Sequence, residues 1–156
     1  MSVDKVRKYL EKFGAADRIM EFDVSSATVP LAAKALGCEE ARIAKTLAFK
    51  TEEACVLIVA AGDTRVDNKK FREVFKEKAK MIAPEEVESL IGYKVGGVCP
   101  FAVNDGVDIY LDESLKRFKT VFPACGSANS AIELSIDELL KFSGAKGFVA
   151  VTKFYE

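Results

Sequence analysis

The stretch Ile43-Ala44-Lys45-Thr46-Leu47-Ala48-Phe49 decides how this chain folds, because its side chains alternate in size with a period of two. Such alternation predicts a β-strand. Ala44, Thr46 and Ala48 would share one face, and the other face would place Lys45 beside three large apolar side chains. A lysine in that position either extends its ammonium to water or holds it in a pocket. Both interpretations stay open at this point.

The residues that follow predict a partner for this strand. The segment 55–60 is a continuous apolar run, Cys55-Val56-Leu57-Ile58-Val59-Ala60, which is typical of a strand covered on both faces. A polar turn at 51–53 separates the two strands, so we expect a hairpin in the middle of a sheet. Gly62-Asp63 would end the second strand with a turn.

Outside this hairpin, helices and short strands follow one another without regular alternation. Apolar spacing, caps and glycine stops predict helices over 3–13, 30–36, 68–75, 84–91 and 135–143. Strands are predicted near 19–22, 108–111, 120–124, 131–134 and 148–151. This order disfavours a doubly wound parallel sheet. We predict one α+β domain over residues 1–156, with a curved, barrel-like, mostly antiparallel mixed sheet flanked by helices.

The overall composition excludes some classes of protein. Apolar residues make up 49% of the chain and charged residues 30%, and the net charge is −1. A general coat protein for nucleic acid needs a strongly basic surface, so that class is disfavoured. The segment 65–80 is nevertheless locally basic, which indicates either a solvated helix face or an anion-binding face.

The chain contains no histidine, which excludes Ser-His and Cys-His nucleophiles and the usual zinc ligand sets. We therefore expect no metal and no organic cofactor. The four cysteines, Cys38, Cys55, Cys99 and Cys125, are widely separated. With neither a signal peptide nor a membrane-spanning stretch in the sequence, they are expected to be reduced thiols of a cytoplasmic protein.

Four short segments could carry chemistry. They are Lys45 with Thr46, the turn at Gly62-Asp63, the loop Gly96-Gly97-Val98-Cys99-Pro100, and the small-residue loop from Gly126 to Ser130. Paired glycines before a proline allow a rigid turn whose exposed N–H groups could bind an oxyanion. The simpler alternative for each segment is structural: a strand lysine, a turn aspartate, a bend at a sheet edge and a connecting loop.

Taken together, these segments resemble a known family. The ordered set is Val29 to Gly37, then Ile43 to Leu47, Gly62-Asp63, Ile91 to Phe101, Asp112 and Ala124-Cys125-Gly126. It is similar to the YbaK/prolyl-tRNA-synthetase-associated domain family, including its free-standing members. The resemblance covers nearly the whole chain in the same order.

The resemblance implies a trans-editing aminoacyl-tRNA deacylase that hydrolyses alanyl- or cysteinyl-tRNA made in error, with tRNA for proline as the expected tRNA. It places the key lysine of the family on Lys45 and the G-x-x-x-P loop on Gly96 to Pro100. The implied partners are the aminoacyl-tRNA acceptor end and prolyl-tRNA synthetase, and the protein could be a monomer or a homodimer. With Lys45 as the catalytic residue, the substrate-binding residues would be Phe22, Thr46, Asp63, Gly96, Gly97, Val98, Pro100, Gly126, Ser127 and Asn129.

In the expected mechanism the Lys45 ammonium pairs with a phosphate of the terminal adenosine or polarises the ester carbonyl. N–H groups of the Gly96 loop would favour the oxyanion, and water or a substrate group would be the nucleophile. Some relatives carry a histidine or another polar residue where this chain has the 126–130 loop, which leaves the amino-acid preference open. Two alternatives also remain: a non-catalytic binder of tRNA ends or small ligands, and a hydrolase of another ester using Cys99 or Cys125.

Overall fold

The computed structural model describes residues 2–155. Within that range the α-helices are α1 (Ser2–Glu11), α2 (Val29–Leu36), α3 (Asn68–Phe75), α4 (Pro84–Ile91) and α5 (Ile136–Ser143). The strands are β1 (Met20–Glu21), β2 (Ile43–Lys50), β3 (Cys55–Ala61), β4 (Thr64–Val66), β5 (Val107–Asp112), β6 (Thr120–Pro123), β7 (Ser130–Ala131), β8 (Leu134–Ser135), β9 (Phe148–Val149) and β10 (Thr152–Phe154). None of these helices is long and apolar enough to cross a membrane.

The predicted hairpin is the centre of the fold. Strands β2 and β3 pair antiparallel from Ala44 opposite Ala61 to Lys50 opposite Cys55. From Val56 onward every residue of β3 is buried, as expected for a strand with side chains packed on both faces. The prediction that Lys45 lies in the middle of a sheet is confirmed.

The main sheet is mixed and curled, with the strand order β8-β6-β2-β3-β5-β9. Strand β3 pairs with β5 in parallel, β5 with β9 in parallel, and β2 with β6 in parallel over only two residue pairs. The β2–β3 and β6–β8 pairs are antiparallel, as are two small separate sheets, β1–β7 and β4–β10. The predicted α+β class with a curved mixed sheet is confirmed, whereas three of the five strand pairs in the main sheet are parallel, so this sheet is not mostly antiparallel.

The two faces of the β2–β3 hairpin pack against different clusters. Ala44 and Ala48 belong to the larger core, which also contains the β3 residues Leu57 and Val59. On the opposite face, Phe49 packs in a second cluster that includes Phe71 of α3. The small-residue face of β2, with Ala44, Thr46 and Ala48, also lines the cavity described below.

Helix ends follow the local signals in the sequence. Asp67 accepts N–H bonds at the start of α3, and Ser135 forms a capping box with Glu138 at the start of α5. Gly37 ends α2 in the left-handed conformation, with φ of 69°, which glycine adopts at little cost. Helix α2 begins after Thr28, whose side chain accepts from the Leu31 N–H, and α4 begins at Pro84; Thr28 and Pro84 both line the cavity described below.

Several strands differ from the predictions. The predicted strand 131–134 is two short strands, β7 and β8, which pair with β1 and β6 respectively. The predicted strand 148–151 is shortened to β9, and the chain continues into β10. The antiparallel pair β4–β10 was not predicted, because a strand of three residues is too short to show a clear period.

Candidate active site

A cavity of about 360 Å³ opens beside β2. Its walls come from the segment before α2 and the first residues of that helix, from β2, from the start of α4, from the Gly96 loop, and from residues near 122–131. Most of the lining side chains are apolar, and none carries a carboxylate or a thiol. Lys45 is thus the sole ionisable side chain among the described lining residues.

The small-residue face of β2 forms one wall of the cavity. Ala44 and Ala48 leave space on either side of Thr46. The Thr46 hydroxyl oxygen is buried, and it is the one buried side-chain polar atom within residues 2–155 that lacks a hydrogen-bond partner. Because a buried hydroxyl without a partner is costly, this atom marks a position where a bound group would be stabilised.

The outer edge of β2 is also open along this wall. Its pairing with β6 covers Ile43 and Ala44 and then stops. Further along, the Ala48 carbonyl accepts a hydrogen bond from the Ile82 N–H at 3.1 Å. Alternate residues of a strand direct N–H and C=O to the same edge, so those of Thr46 point into the gap between these two contacts. No other described residue hydrogen-bonds to them.

Lys45 lines the cavity but points its ammonium toward β4. The Nζ atom donates a hydrogen bond to the Thr64 carbonyl and lies 5.2 Å from the centroid of the Tyr155 ring. The side chain is half-buried. Lys45 therefore lies between the cavity and the β4–β10 pair. Its ammonium contacts the Thr64 carbonyl and the face of the Tyr155 ring, and it forms no ion pair with a carboxylate among the described residues.

Asp63 lies outside the cavity wall and pairs with Arg117. The guanidinium contacts the two carboxylate oxygens at 3.0 and 2.6 Å. Arg117 lowers the pKa of the Asp63 carboxyl by hydrogen bonding and by its charge, and Lys45 contributes a smaller lowering. Asp63 is thus a carboxylate near Lys45 whose two oxygens both accept hydrogen bonds from Arg117.

The Gly96 loop contributes Gly96 and Val98 to the cavity wall. Gly97 is buried, and its N–H donates to the Lys94 carbonyl at 3.0 Å. The prediction that the N–H groups of this loop are exposed is wrong for Gly97, because the turn uses that donor internally. A Cβ at Gly97 would lie 2.8 Å from the Gly126 carbonyl oxygen, so glycine here permits the close contact of two loops. Pro100 is buried behind them.

The loop from Gly126 to Ser130 is held by its own side chains and by the N–H groups of Phe22 and Ser26, which donate to the Asn129 and Ala128 carbonyls at 2.8 and 2.6 Å. The Ser127 hydroxyl lies 2.7 Å from the Ser130 hydroxyl and 3.0 Å from the Asn129 side-chain oxygen. The Asn129 amide group donates to the Phe22 carbonyl at 2.9 Å. Of this loop, Ser130 lines the cavity. The predicted substrate-binding residues Phe22, Gly126, Ser127 and Asn129 lie outside the cavity wall, where they hold the loop in place.

The family model for the aminoacyl-tRNA editing domain matches residues 24–142, a range that includes every wall of the cavity. The chain belongs to the aminoacyl-tRNA editing domain family. This membership confirms the resemblance drawn from the ordered segments.

Similar sequences occur both as a chain of the same length and as one part of a longer synthetase. The uncharacterized protein YwhH of Bacillus subtilis (strain 168) is 49% identical over 157 residues, and the alignment covers 100% of both chains. The proline–tRNA ligase of Bacillus cereus (strain AH820) is 28% identical over 127 residues. That match covers 81% of this chain and 20% of the ligase, so the chain spans about a fifth of that relative.

Solved structures share the fold along nearly the whole chain. A protein described as a proposed trans-editing enzyme for prolyl tRNA synthetase has a TM-score of 0.88 and 31% identity, with 97% of each chain covered. The hypothetical protein APE2540 has a TM-score of 0.85 and 29% identity, with 96% of this chain and 99% of that chain covered.

The cysteines of this editing domain are free, and two of them lie in the core. Cys99 and Cys125 are both 0% exposed. Burial raises the pKa of the Cys99 thiol to about 12 and also raises that of Cys125. Because the thiolate is the reactive form, the alternative of an ester hydrolase that uses either thiol loses support. No cluster of potential metal ligands occurs among residues 2–155.

The sequence reasoning found part of the site and missed part of it. Of the predicted residues, the structure brings together Lys45, Thr46, Gly96 and Val98 at the cavity. The missed lining residues include Ser26, Thr28, Ile82 and Val87, whereas Ser130 belongs to a loop that the sequence analysis had singled out. Apolar positions at helix and strand starts look the same whether they face a core or a cavity, so only Thr28, which caps α2, carried a local signal.

Proposed function

We propose that residues 1–156 act as one editing domain that hydrolyses aminoacyl-tRNA bearing a small, wrong amino acid. Alanyl- or cysteinyl-tRNA for proline is the expected substrate, made in error by prolyl-tRNA synthetase in the cytoplasm. The observation that carries the proposal is the cavity: its volume is about 360 Å³, its walls are mostly apolar and carry no carboxylate or thiol among the described residues, and Lys45 lies at its side. Such walls suit a small side chain better than a long or charged one.

The chemistry of the proposal is ester hydrolysis. Water adds to the ester carbonyl carbon, the bond from that carbon to the ribose oxygen breaks, and a proton of the water passes to the leaving ribose oxygen. The products are the free amino acid and a tRNA with its ribose hydroxyl restored. With no strong base at the cavity, positioning and electrostatic stabilisation must supply most of the rate.

Lys45 is proposed as the cation that positions the acceptor end. Its ammonium has only a carbonyl and an aromatic ring as neighbours among the described residues, so it can donate a hydrogen bond to a phosphate oxygen or to the ester carbonyl without breaking an ion pair. A charge-assisted hydrogen bond of this kind is stronger than one between neutral groups.

Two exposed cations on the β4–β10 pair favour the binding of an anionic group near Lys45. Arg65 and Lys153 lie directly opposite each other in that pair, and both are exposed. Like charges at such positions repel, and neither forms a salt bridge within the described residues. Arg65 follows Thr64, whose carbonyl holds the Lys45 ammonium. We therefore propose that phosphates next to the terminal adenosine pass over Arg65 and Lys153.

The function is tested by incubating the protein with alanyl-, cysteinyl- and seryl-tRNA for proline, with prolyl-tRNA as the correctly charged control. The expected result is release of alanine or cysteine at micromolar protein, unchanged by a chelator, with prolyl-tRNA left intact. Tight tRNA binding with no release from any of the four would favour the alternative of a non-catalytic binder of tRNA ends.

The phosphate path is tested with the double variant Arg65→Gln/Lys153→Gln. Removing two phosphate contacts should make the plot of log kcat/KM against log salt shallower by about 1.4, at roughly 0.7 per contact with a single strand. KM should rise while kcat stays near the wild-type value. The matched control, Lys8→Gln/Lys141→Gln, removes two exposed lysines of α1 and α5 and should keep the wild-type slope. Equal slopes for both double variants would contradict the proposed path.

A further inference from the structure

The gap in the edge of β2 has a definite size. Pairing with β6 ends at Ala44, and the contact with Ile82 resumes the pairing at Ala48. Between them, one residue, Thr46, directs its N–H and its C=O to the open edge. The distance from residue 44 to residue 48 along a strand is roughly 14 Å, at about 3.4 Å per residue. The gap thus has room for one further residue in extended conformation.

The polar groups in this gap all belong to Thr46. Its N–H, its C=O and its buried hydroxyl are the unpaired groups on an otherwise apolar section of wall. A strand residue whose N–H and C=O are both free at an edge is complementary to another residue that offers a C=O and an N–H at the same spacing. An α-aminoacyl ester offers both groups, because its ammonium and its carbonyl flank one carbon atom.

We propose that the aminoacyl group of the substrate fills this gap as a one-residue antiparallel partner of Thr46. Its α-ammonium donates to the Thr46 carbonyl, and its ester carbonyl accepts from the Thr46 N–H. This pairing rests on the proposed function and adds to it the chemical class that is recognised, an α-amino acid ester with a free ammonium. The Thr46 N–H then also faces the oxygen on which negative charge develops, a role that the Gly97 N–H cannot take.

The same pairing makes the Thr46 side chain a limit on substrate size. In a hydrogen-bonded antiparallel pair the two side chains lie on the same face, with their Cα atoms about 5.5 Å apart. The substrate side chain therefore stands beside the Thr46 side chain, on the face that Ala44 and Ala48 leave open. Beyond it lie Ile82 and Val87, both buried. A small side chain fits this space, and a branched one meets Thr46.

The pairing is tested with a non-hydrolysable analogue, 3′-alanylamino-3′-deoxyadenosine, so that binding is measured without turnover. Amide hydrogen exchange is followed by NMR with and without the analogue. At saturation the Thr46 amide should exchange at least about ten-fold more slowly, while the Leu47 amide, which faces β3, should keep its rate. The matched propionyl analogue, which lacks the ammonium, should bind about ten-fold more weakly.

Outcomes of this experiment separate the pairing from the function. Hydrolysis of alanyl-tRNA with no protection of the Thr46 amide, or with no binding of the analogue, would overturn the pairing and leave the function standing. Protection of the amide without hydrolysis of any aminoacyl-tRNA would support the pairing in a binding module. Equal affinities for the alanyl and propionyl analogues would also overturn it, because the ammonium would then have no role.

The size limit is tested by substitution of Thr46. Thr46→Ala should raise kcat/KM for valyl-tRNA relative to alanyl-tRNA by about ten-fold, the usual scale for one or two methyl groups in an apolar pocket. Thr46→Val keeps the volume and removes the hydroxyl, so it should preserve the wild-type ratio. An unchanged ratio in a folded Thr46→Ala protein would overturn the placement of the substrate beside Thr46.

Discussion

Replacing Lys45 with methionine should lower kcat/KM for mischarged tRNA by about ten- to a hundred-fold while the protein stays folded. Methionine keeps most of the apolar stem of the side chain but removes the ammonium. A hydrogen bond from a charged group contributes about 1.5–3 kcal/mol, which corresponds to that range of rate. The fold should persist because β2 is held by pairing with β3 along its length. Steady-state kinetics together with a thermal melt measure both effects.

Two further variants make the Lys45 test specific. Lys50→Met changes another lysine of the same strand, which is exposed and pairs with Glu86 at 3.4 Å, and it should leave kcat/KM within a factor of two. Lys45→Arg keeps the charge with a planar head group and should restore activity only in part. Wild-type activity in a well-folded Lys45→Met protein would remove Lys45 from the mechanism and leave it as a strand lysine.

Replacing Asp112 with alanine should have the largest effect on stability among the single changes considered. Asp112 is 1% exposed. Its carboxylate accepts hydrogen bonds from the Val151 N–H at 3.0 Å, the Thr152 hydroxyl at 2.7 Å and the Ser114 N–H at 2.9 Å. Alanine would leave these donors without their acceptor, at about 1–3 kcal/mol for each buried donor. We expect a loss of about 3 kcal/mol or more in the free energy of unfolding.

Chemical denaturation measures this loss, and Asp108→Ala is the matched control on the same strand. Asp108 pairs with Lys146 at the surface at 3.1 Å, and a surface pair contributes about 1 kcal/mol or less. Similar losses for the two variants would contradict the role given to Asp112. Asp112 also fixes the start of β10, so Tyr155, which follows β10, should be less well positioned beside Lys45 in the Asp112→Ala protein. We therefore expect this variant to bind tRNA more weakly even below its melting temperature.

Much of the fold could be predicted because local patterns decide it. The alternation around Lys45 and the apolar run of β3 predicted the central hairpin, and Gly37 and Ser135 marked helix ends correctly. The pairing of β3 with β5 in parallel had no such signal, since the strands are separated by about fifty residues and any apolar strand could take that place. The β4–β10 pair was missed for two reasons: each strand has only three residues, and the sequence does not show that Asp112 accepts hydrogen bonds from Val151 and Thr152 at the start of β10.

The candidate site was predictable to a similar extent and for similar reasons. Lys45 and Thr46 stood out because a charged and a hydroxyl side chain interrupt an apolar strand. Asp63 was grouped with them, but the structure pairs it with Arg117, which is 54 residues away. The contact of Gly97 with Gly126 is also long-range. Such pairings depend on the whole topology, so the short motif that contains each residue could not reveal them.

The short length of the open edge of β2 also affects the tendency of this protein to aggregate. Unpaired strand edges attract strands of other molecules and so promote aggregation. Here the edge is closed at one end by β6 and at the other by the segment that contains Ile82, and the gap exposes the pairing groups of a single residue. A neighbouring protein chain would need several consecutive residues to dock, whereas a single amino acid needs one. The edge is therefore accessible to a small ester and closed to a second polypeptide.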